Sequence, residues 1–228
     1  MNPQNKTVVI TGASSGIGLF TAKAMLENGM RVAGWQRSKA DIIHPNFTNI
    51  SCDVANPESV KQALDETMKA FNRIDVLINN AGFGIFGKMH ETSDADWHAM
   101  FNVNVHGVFN CTKAVVPTMI KRQSGHIVNI SSIAGKIAVV EGAGYSATKF
   151  AVTAMSHAMF RELRQYNIKV SVVFPGSVNT HFFDNVEHKL KADDMIQPED
   201  LAQSILHLVN TPPDYLPFEL EVRTMRAK

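Results

Sequence analysis

The chain has 228 residues, with 22 lysines and arginines against 21 aspartates and glutamates and a formal net charge of +1. That length suits one domain, residues 1–228, and the near-neutral balance leaves no electrostatic case for nucleic acid or an anionic membrane, so the expected partners are small molecules or further copies of the chain. Two cysteines, Cys52 and Cys111, show neither metal-type spacing nor secreted-scaffold density, and no apolar run reaches membrane-spanning length, so a cytoplasmic protein without a leader is expected.

Residues 6–11 (KTVVIT) are a β-branched run of strand length that meets a glycine cluster and then apolar residues at helical spacing, Ile17, Phe20, Ala24 and Met25. Gly29 is a natural end for that helix, and residues 31–36 (RVAGWQ) read as the second strand. A third strand is expected at 49–53. The segment between, 37–48 with Pro45, is too short for a full crossover helix and is predicted as a loop or one turn. Asn56 and Pro57 open a helix with Val60, Ala63, Leu64, Met68 and Phe71 on one side. A fourth strand follows at 75–79. Thr92, Ser93 and Asp94 can cap a long helical stretch, bent or interrupted, reaching about Lys121, and a fifth strand covers 126–132.

The helix predicted from about 144 to 166 is apolar on more than one side, which suits packing on a sheet and against another subunit in a homodimer or homotetramer. Residues 168–174 are a sixth strand, and Pro198, Glu199 and Asp200 open a last helix before a seventh strand at 219–223. Continuous apolar strands alternating with helices argue for an α/β fold with a parallel sheet covered on both faces, whose ligands bind at the carboxyl ends of the strands.

Several stretches at those ends carry polar chemistry. Where the first strand hands over to the first helix stand Gly12, Ala13, Ser14, Ser15, Gly16, Ile17 and Gly18. Gly12 permits the tight turn, Gly16 lets the backbone approach a pyrophosphate, and Gly18 lets helix and sheet pack closely, while the helix start offers N–H groups and a positive dipole. The spacing lacks a Lys-Ser/Thr ending, which argues against a nucleoside triphosphate loop and favours a dinucleotide. Asn79-Asn80-Ala81-Gly82 ends the fourth strand, Asn129-Ile130-Ser131-Ser132 the fifth, and Phe174-Pro175-Gly176 the sixth. Tyr145 and Lys149, four apart, share one helical face. A positive charge about 4 Å from a phenol at an effective dielectric of about 20 is worth roughly 4 kcal/mol, enough to bring the phenol toward neutrality as a proton-exchanging group.

Taken together, the Thr-Gly-x-x-x-Gly-Ile-Gly loop, the Asn-Asn-Ala-Gly turn, a serine, the Tyr-x-x-x-Lys pair and the Pro-Gly turn occur in order from residue 11 to 180, and the chain resembles the short-chain dehydrogenase/reductase family. The resemblance implies a doubly wound Rossmann-type fold of about seven strands and hydride transfer between a nicotinamide cofactor and a carbonyl or secondary alcohol. By the same resemblance Tyr145 is the proton donor and acceptor, and Lys149 lowers its pKa and holds the nicotinamide ribose. The family's serine falls thirteen residues before its tyrosine, which selects Ser132 over Ser131 to bind the substrate oxygen. Asn104 matches a helix asparagine that places a water beside the lysine. Asp53 and Val54 match positions flanking the adenine, and Val178 and Thr180 those holding the carboxamide.

Cofactor choice turns on the end of the second strand, where Gln36 is followed by Arg37, Ser38 and Lys39. No carboxylate opposes a 2′-phosphate there and Arg37 can bind one, which favours NADP(H) over NAD(H), although Ser15 stands where many NADP-using relatives carry a basic residue. The short segment after Arg37 leaves the adenosine side more open than usual. Phe83, Ile85, Phe86, Ile137, Val139, Val140 and Phe182 predict a largely apolar substrate, with residues 179–197 as a lid. Glu141 and His181 could read a polar group, but surface or packing roles are the simpler reading, and the histidines form no metal-like cluster. The rival from another class is a non-catalytic NADP(H)-binding sensor; retention of Ser132, Tyr145, Lys149 and Asn104 argues for the enzyme.

Overall fold

In the computed structural model the strands are β1 (Thr7–Thr11), β2 (Arg31–Gln36), β3 (Phe47–Ser51), β4 (Val76–Asn79), β5 (Gly125–Ile130), β6 (Ile168–Pro175) and β7 (Glu219–Val222). They form one sheet in the order β3-β2-β1-β4-β5-β6-β7, every neighbouring pair parallel. The structure describes residues 6–183 and 191–226. The helices are α1 (Gly16–Glu27), α2 (Pro57–Phe71), α3 (Asp94–Phe101), α4 (Gly107–Arg122), α5 (Ala143–Leu163) and α6 (Pro198–Asn210). This is the doubly wound architecture expected from the alternating pattern.

Strand alternation sorts the core into two layers. Val8 and Ile10 of β1 join Val32, Ile78, Val128 and Val173 on the face covered by α1 and α6 through Met25, Leu26, Leu201 and Ile205. Val9 points the other way, with Ala33, Trp35, Leu77 and Ile127, toward α2, α4 and α5 through Val60, Ala63, Cys111, Val115 and Leu163. Trp35 places its indole N–H on Thr67 Oγ1 at 2.9 Å, so the largest buried ring also has its polar atom satisfied.

Two connections matter for the site. No helix joins β2 to β3, as the short segment predicts. The helical stretch expected from 94 to about 121, bent or interrupted, is divided into α3 and α4 by a π-helical turn, Asn102–His106. That turn swings Asn104 inward, where its carboxamide donates to Phe83 O (2.8 Å) and Thr148 Oγ1 (3.0 Å) and accepts from Phe83 N–H (3.0 Å). Such local widening of a helix is commonly placed where a side chain must be aimed.

Candidate active site

The strand order reverses between β1 and β4, and at the carboxyl ends beside that switch lies a cleft of about 1110 Å³. Its floor begins with the glycine loop. Gly12 and Gly16 hold φ of +68° and +50°, a left-handed geometry that a side chain would strain. A Cβ on Gly16 would sit 3.3 Å from Thr180 Cγ2, inside the space between the loop and the end of β6. Ser15 caps α1 without a side-chain hydrogen bond, and no acidic residue occupies the first turn, so the N–H groups and positive end of α1 are left for an anion. Ser14, Ser15, Gly16 and Ile17 line the cleft with Gly12.

Gly18 does not line it. A Cβ there would come within 2.2 Å of Gly12 O, so Gly18 acts beneath the loop by letting α1 close on it, the packing role its place in the glycine pattern suggests. The loop is also tied to the end of β4. Thr11 Oγ1 accepts from Asn80 N–H and Ala81 N–H, both at 2.9 Å, and Asn80 Nδ2 donates to Thr11 O (2.9 Å) and Gly12 O (3.2 Å). Sequence reasoning passed over Thr11 as a site residue; a hydroxyl at the last position of an apolar strand was the available signal.

Farther along, Arg37 and Ser38 line the cleft with Asp53 and Val54. Asn110 Nδ2 holds Val54 O at 2.9 Å, a contact that spacing along the chain does not reveal. Asn80, Ala81, Gly82, Pro175, Gly176, Val178 and Thr180 line the middle. Uncapped helix N–H groups, two left-handed glycines and a cationic edge make this end fit a phosphorylated dinucleotide.

At the other end stand Ser132, Tyr145 and Lys149. Ser131 and Ser132 part company: Ser131 Oγ bonds to Lys149 O (3.1 Å) and Thr153 Oγ1 (3.1 Å), whereas Ser132 Oγ accepts from Ala134 N–H (3.1 Å) and lines the cleft beside the Tyr145 phenol. Tyr145 is 8% exposed and walled by aromatic rings, with Phe86 and Phe182 centroids 5.5 and 5.4 Å away. Gly84 makes room for them, since a Cβ there would meet Phe182, Phe86 and Tyr145 at 2.9–3.0 Å. Lys149 is 6% exposed, and its Nζ donates to Ile130 O at 2.9 Å. A Cβ on Gly82 would lie 3.0 Å from Asn104 Oδ1 and 3.6 Å from Lys149 Nζ, so Asn104 sits behind the lysine without lining the cleft.

The proton affinities differ from the expectation that Lys149 would lower the phenol. Burial pushes Tyr145 up to about 12, with the Ser132 hydrogen bond pulling the other way, and burial brings Lys149 down to about 8. The ammonium lies 5.7 Å from the Tyr145 ring centroid and is turned onto a backbone carbonyl, so loss of water outweighs the charge pair. Glu141 is exposed, with φ +58°, and lies off the cleft, whereas His181 lines it. Among the described residues no group of three or more His, Cys, Asp or Glu could hold a metal ion, and no helix is long and apolar enough to cross a membrane.

The sequence model of the short chain dehydrogenase family matches residues 6–191. The 3-ketodihydrosphingosine reductase of Bacteroides thetaiotaomicron is 41% identical over 206 residues, which cover 90% of this chain and 74% of that enzyme. The 3-oxoacyl-(acyl-carrier-protein) reductase FabG of Thermotoga maritima is 31% identical over 237 residues, covering 95% of each. Among solved structures, an alcohol dehydrogenase from the archaeon Thermococcus sibiricus, complexed with 5-hydroxy-NADP, matches with a TM-score of 0.87 at 27% identity, covering 98% of both chains. The chain belongs to the short-chain dehydrogenase/reductase family and is an NAD(P)-dependent oxidoreductase.

Proposed function

We propose that the protein interconverts a largely apolar ketone and its secondary alcohol using NADP(H), with Tyr145 as the general acid and base. The observation that carries this is a buried phenol in the cleft beside Ser132, with the ammonium of Lys149 on the same helical face. When bound, the nicotinamide supplies or accepts the hydride at the carbonyl carbon. Ser132 donates to the substrate oxygen, and Tyr145 hands that oxygen its proton as negative charge develops there. Burial keeps the phenol protonated at neutral pH, the form that donates when a ketone is reduced. Lys149 would hold the nicotinamide ribose and offset the charge left on Tyr145 after transfer, and Asn104 fixes Phe83 at the cleft.

NADP(H) is favoured over NAD(H) because Arg37 and Ser38 stand at the cleft edge and no carboxylate occurs in residues 36–40. Relatives named for 3-ketodihydrosphingosine and 3-oxoacyl groups support a ketone, and Phe83, Ile85, Phe86, Val139 and Phe182 in the cleft support an apolar one. Residues 179–197 are proposed as a lid over this end. Asn179 N–H bonds Ile196 O at 2.9 Å across its base, while residues 184–190 lie outside the described residues. Exposed Phe109 on α4 and Phe150 on α5 support a homodimer or homotetramer, which light scattering tests.

The test of the reaction is NADPH oxidation against a panel of ketones graded in chain length. Turnover that improves with apolar length is expected. No turnover on any ketone, with tight NADPH binding, overturns the reading in favour of a cofactor-binding sensor.

A further inference from the structure

Residues 37–46, between β2 and β3, carry no helix, so the loop that brings Arg37 and Ser38 to the cleft has no regular element of its own to hold it. One side chain takes that place. Asn49, in β3, accepts at Oδ1 from Ala40 N–H (2.8 Å) and from Gln36 Nε2 (2.7 Å), and its Nδ2 returns to Ala40 O (3.4 Å). Gln36 and Ala40 are buried, at 5% and 2% exposure, while residues 37–39 between them are exposed. The carboxamide thus closes both ends of a three-residue loop. Asn49 is itself fixed in register opposite Gly34 of β2, and Cys52 N–H on Gln36 O (3.1 Å) locks the strand ends together.

We infer that Asn49 is a positioning residue for cofactor choice: by clamping Gln36 and Ala40 it holds Arg37 and Ser38 where they read the 2′-phosphate of NADP(H). This rests on the NADP(H) reading above. A guanidinium gains most from a phosphate when its backbone is already placed, because a loose loop must be ordered at the moment of binding. NAD(H) has no 2′-phosphate and makes no such demand on the loop. The clamp therefore acts on discrimination between the cofactors and not on the chemistry at Tyr145.

The test measures dissociation constants for NADPH and NADH, and competition by 2′,5′-ADP and 5′-AMP, in the full chain and in Asn49→Ala, Arg37→Ala and the double variant. The wild type is expected to bind NADPH about tenfold or more tighter than NADH. Asn49→Ala is expected to lose about tenfold for NADPH and 2′,5′-ADP, with NADH, 5′-AMP and kcat at saturating cofactor held within about twofold. In the Arg37→Ala background the same substitution should add at most about twofold, the part carried by Ser38. Equal losses for both cofactors, or a full additional loss in the Arg37→Ala background, overturn the inference and leave the NADP(H) reading standing. A wild type without NADPH preference overturns that reading, and the inference with it. Asn49→Thr keeps a strand-favouring residue that cannot bridge both groups, and it is measured alongside with thermal melting, so a misfolded alanine variant does not stop the test.

Discussion

Tyr145 and Lys149 lie one helical turn apart, and burial moves their proton affinities in opposite directions, up to about 12 for the phenol and down to about 8 for the ammonium. Both shifts disfavour the charged form. For Lys149 the folded pKa lies below the unfolded value, so the unfolded chain holds more protons between pH 8 and 10.5 and stability rises with pH through that window. Relative to Lys149→Met, the wild type is predicted to gain about 2 kcal/mol between pH 7.5 and 9.5 in urea melts. A difference that does not change with pH contradicts a buried ammonium. His126 works at the acid end. Burial, then Lys169 and Lys6, bring it down to about 3, and its Nε2 lies 2.9 Å from Ser171 Oγ. The unfolded chain therefore takes up the proton first as pH falls, and about 3 kcal/mol should be lost between pH 6.5 and 4. His126→Gln is predicted to flatten that acid limb, and an unchanged slope would rule the histidine out as its source.

The βα unit that opens the chain shows which contacts a local pattern can announce. A β-branched run, three glycines and an apolar helix face are all local, and β1, the loop and α1 form where they predict. The packing role of Gly18 is equally local, and it shows as Gly12 O lying 2.2 Å from where a Cβ would stand. Gly18→Ala is predicted to cost about 1–3 kcal/mol through overpacking against backbone, whereas Gly87→Ala, with nothing within 4 Å, should stay within about 0.5 kcal/mol. Paired thermal melts compare them, and equal stabilities would contradict the close packing of α1. The break in the 94–121 stretch is expected, but the contact it serves escaped the 3.6-residue pattern, because Phe83, the partner of the Asn104 carboxamide, lies 21 residues away. The direction of the Tyr145 shift escaped it as well. An i, i+4 spacing places two groups on one face, but it carries no information on burial or on Ile130 O drawing off the ammonium. Asn49 reads as an ordinary strand residue until the fold brings Ala40 beside it.

Across the whole molecule, reversal of strand order at β1 and β4 gathers loop ends that are far apart in sequence into one cleft. One end is polar, with helix N–H groups and Arg37, and the other is lined by aromatic rings around a buried phenol. A dinucleotide and an apolar ketone meeting between them would join hydride and proton transfer at a single carbonyl. The most direct measurement is turnover of NADPH with the best ketone of the panel in wild type and in Tyr145→Phe, beside the NADPH dissociation constant of each. Turnover should fall by about a thousandfold or more while the dissociation constant stays within about threefold. Turnover within about tenfold of wild type would show that the proton comes from elsewhere and would contradict the assignment of Tyr145.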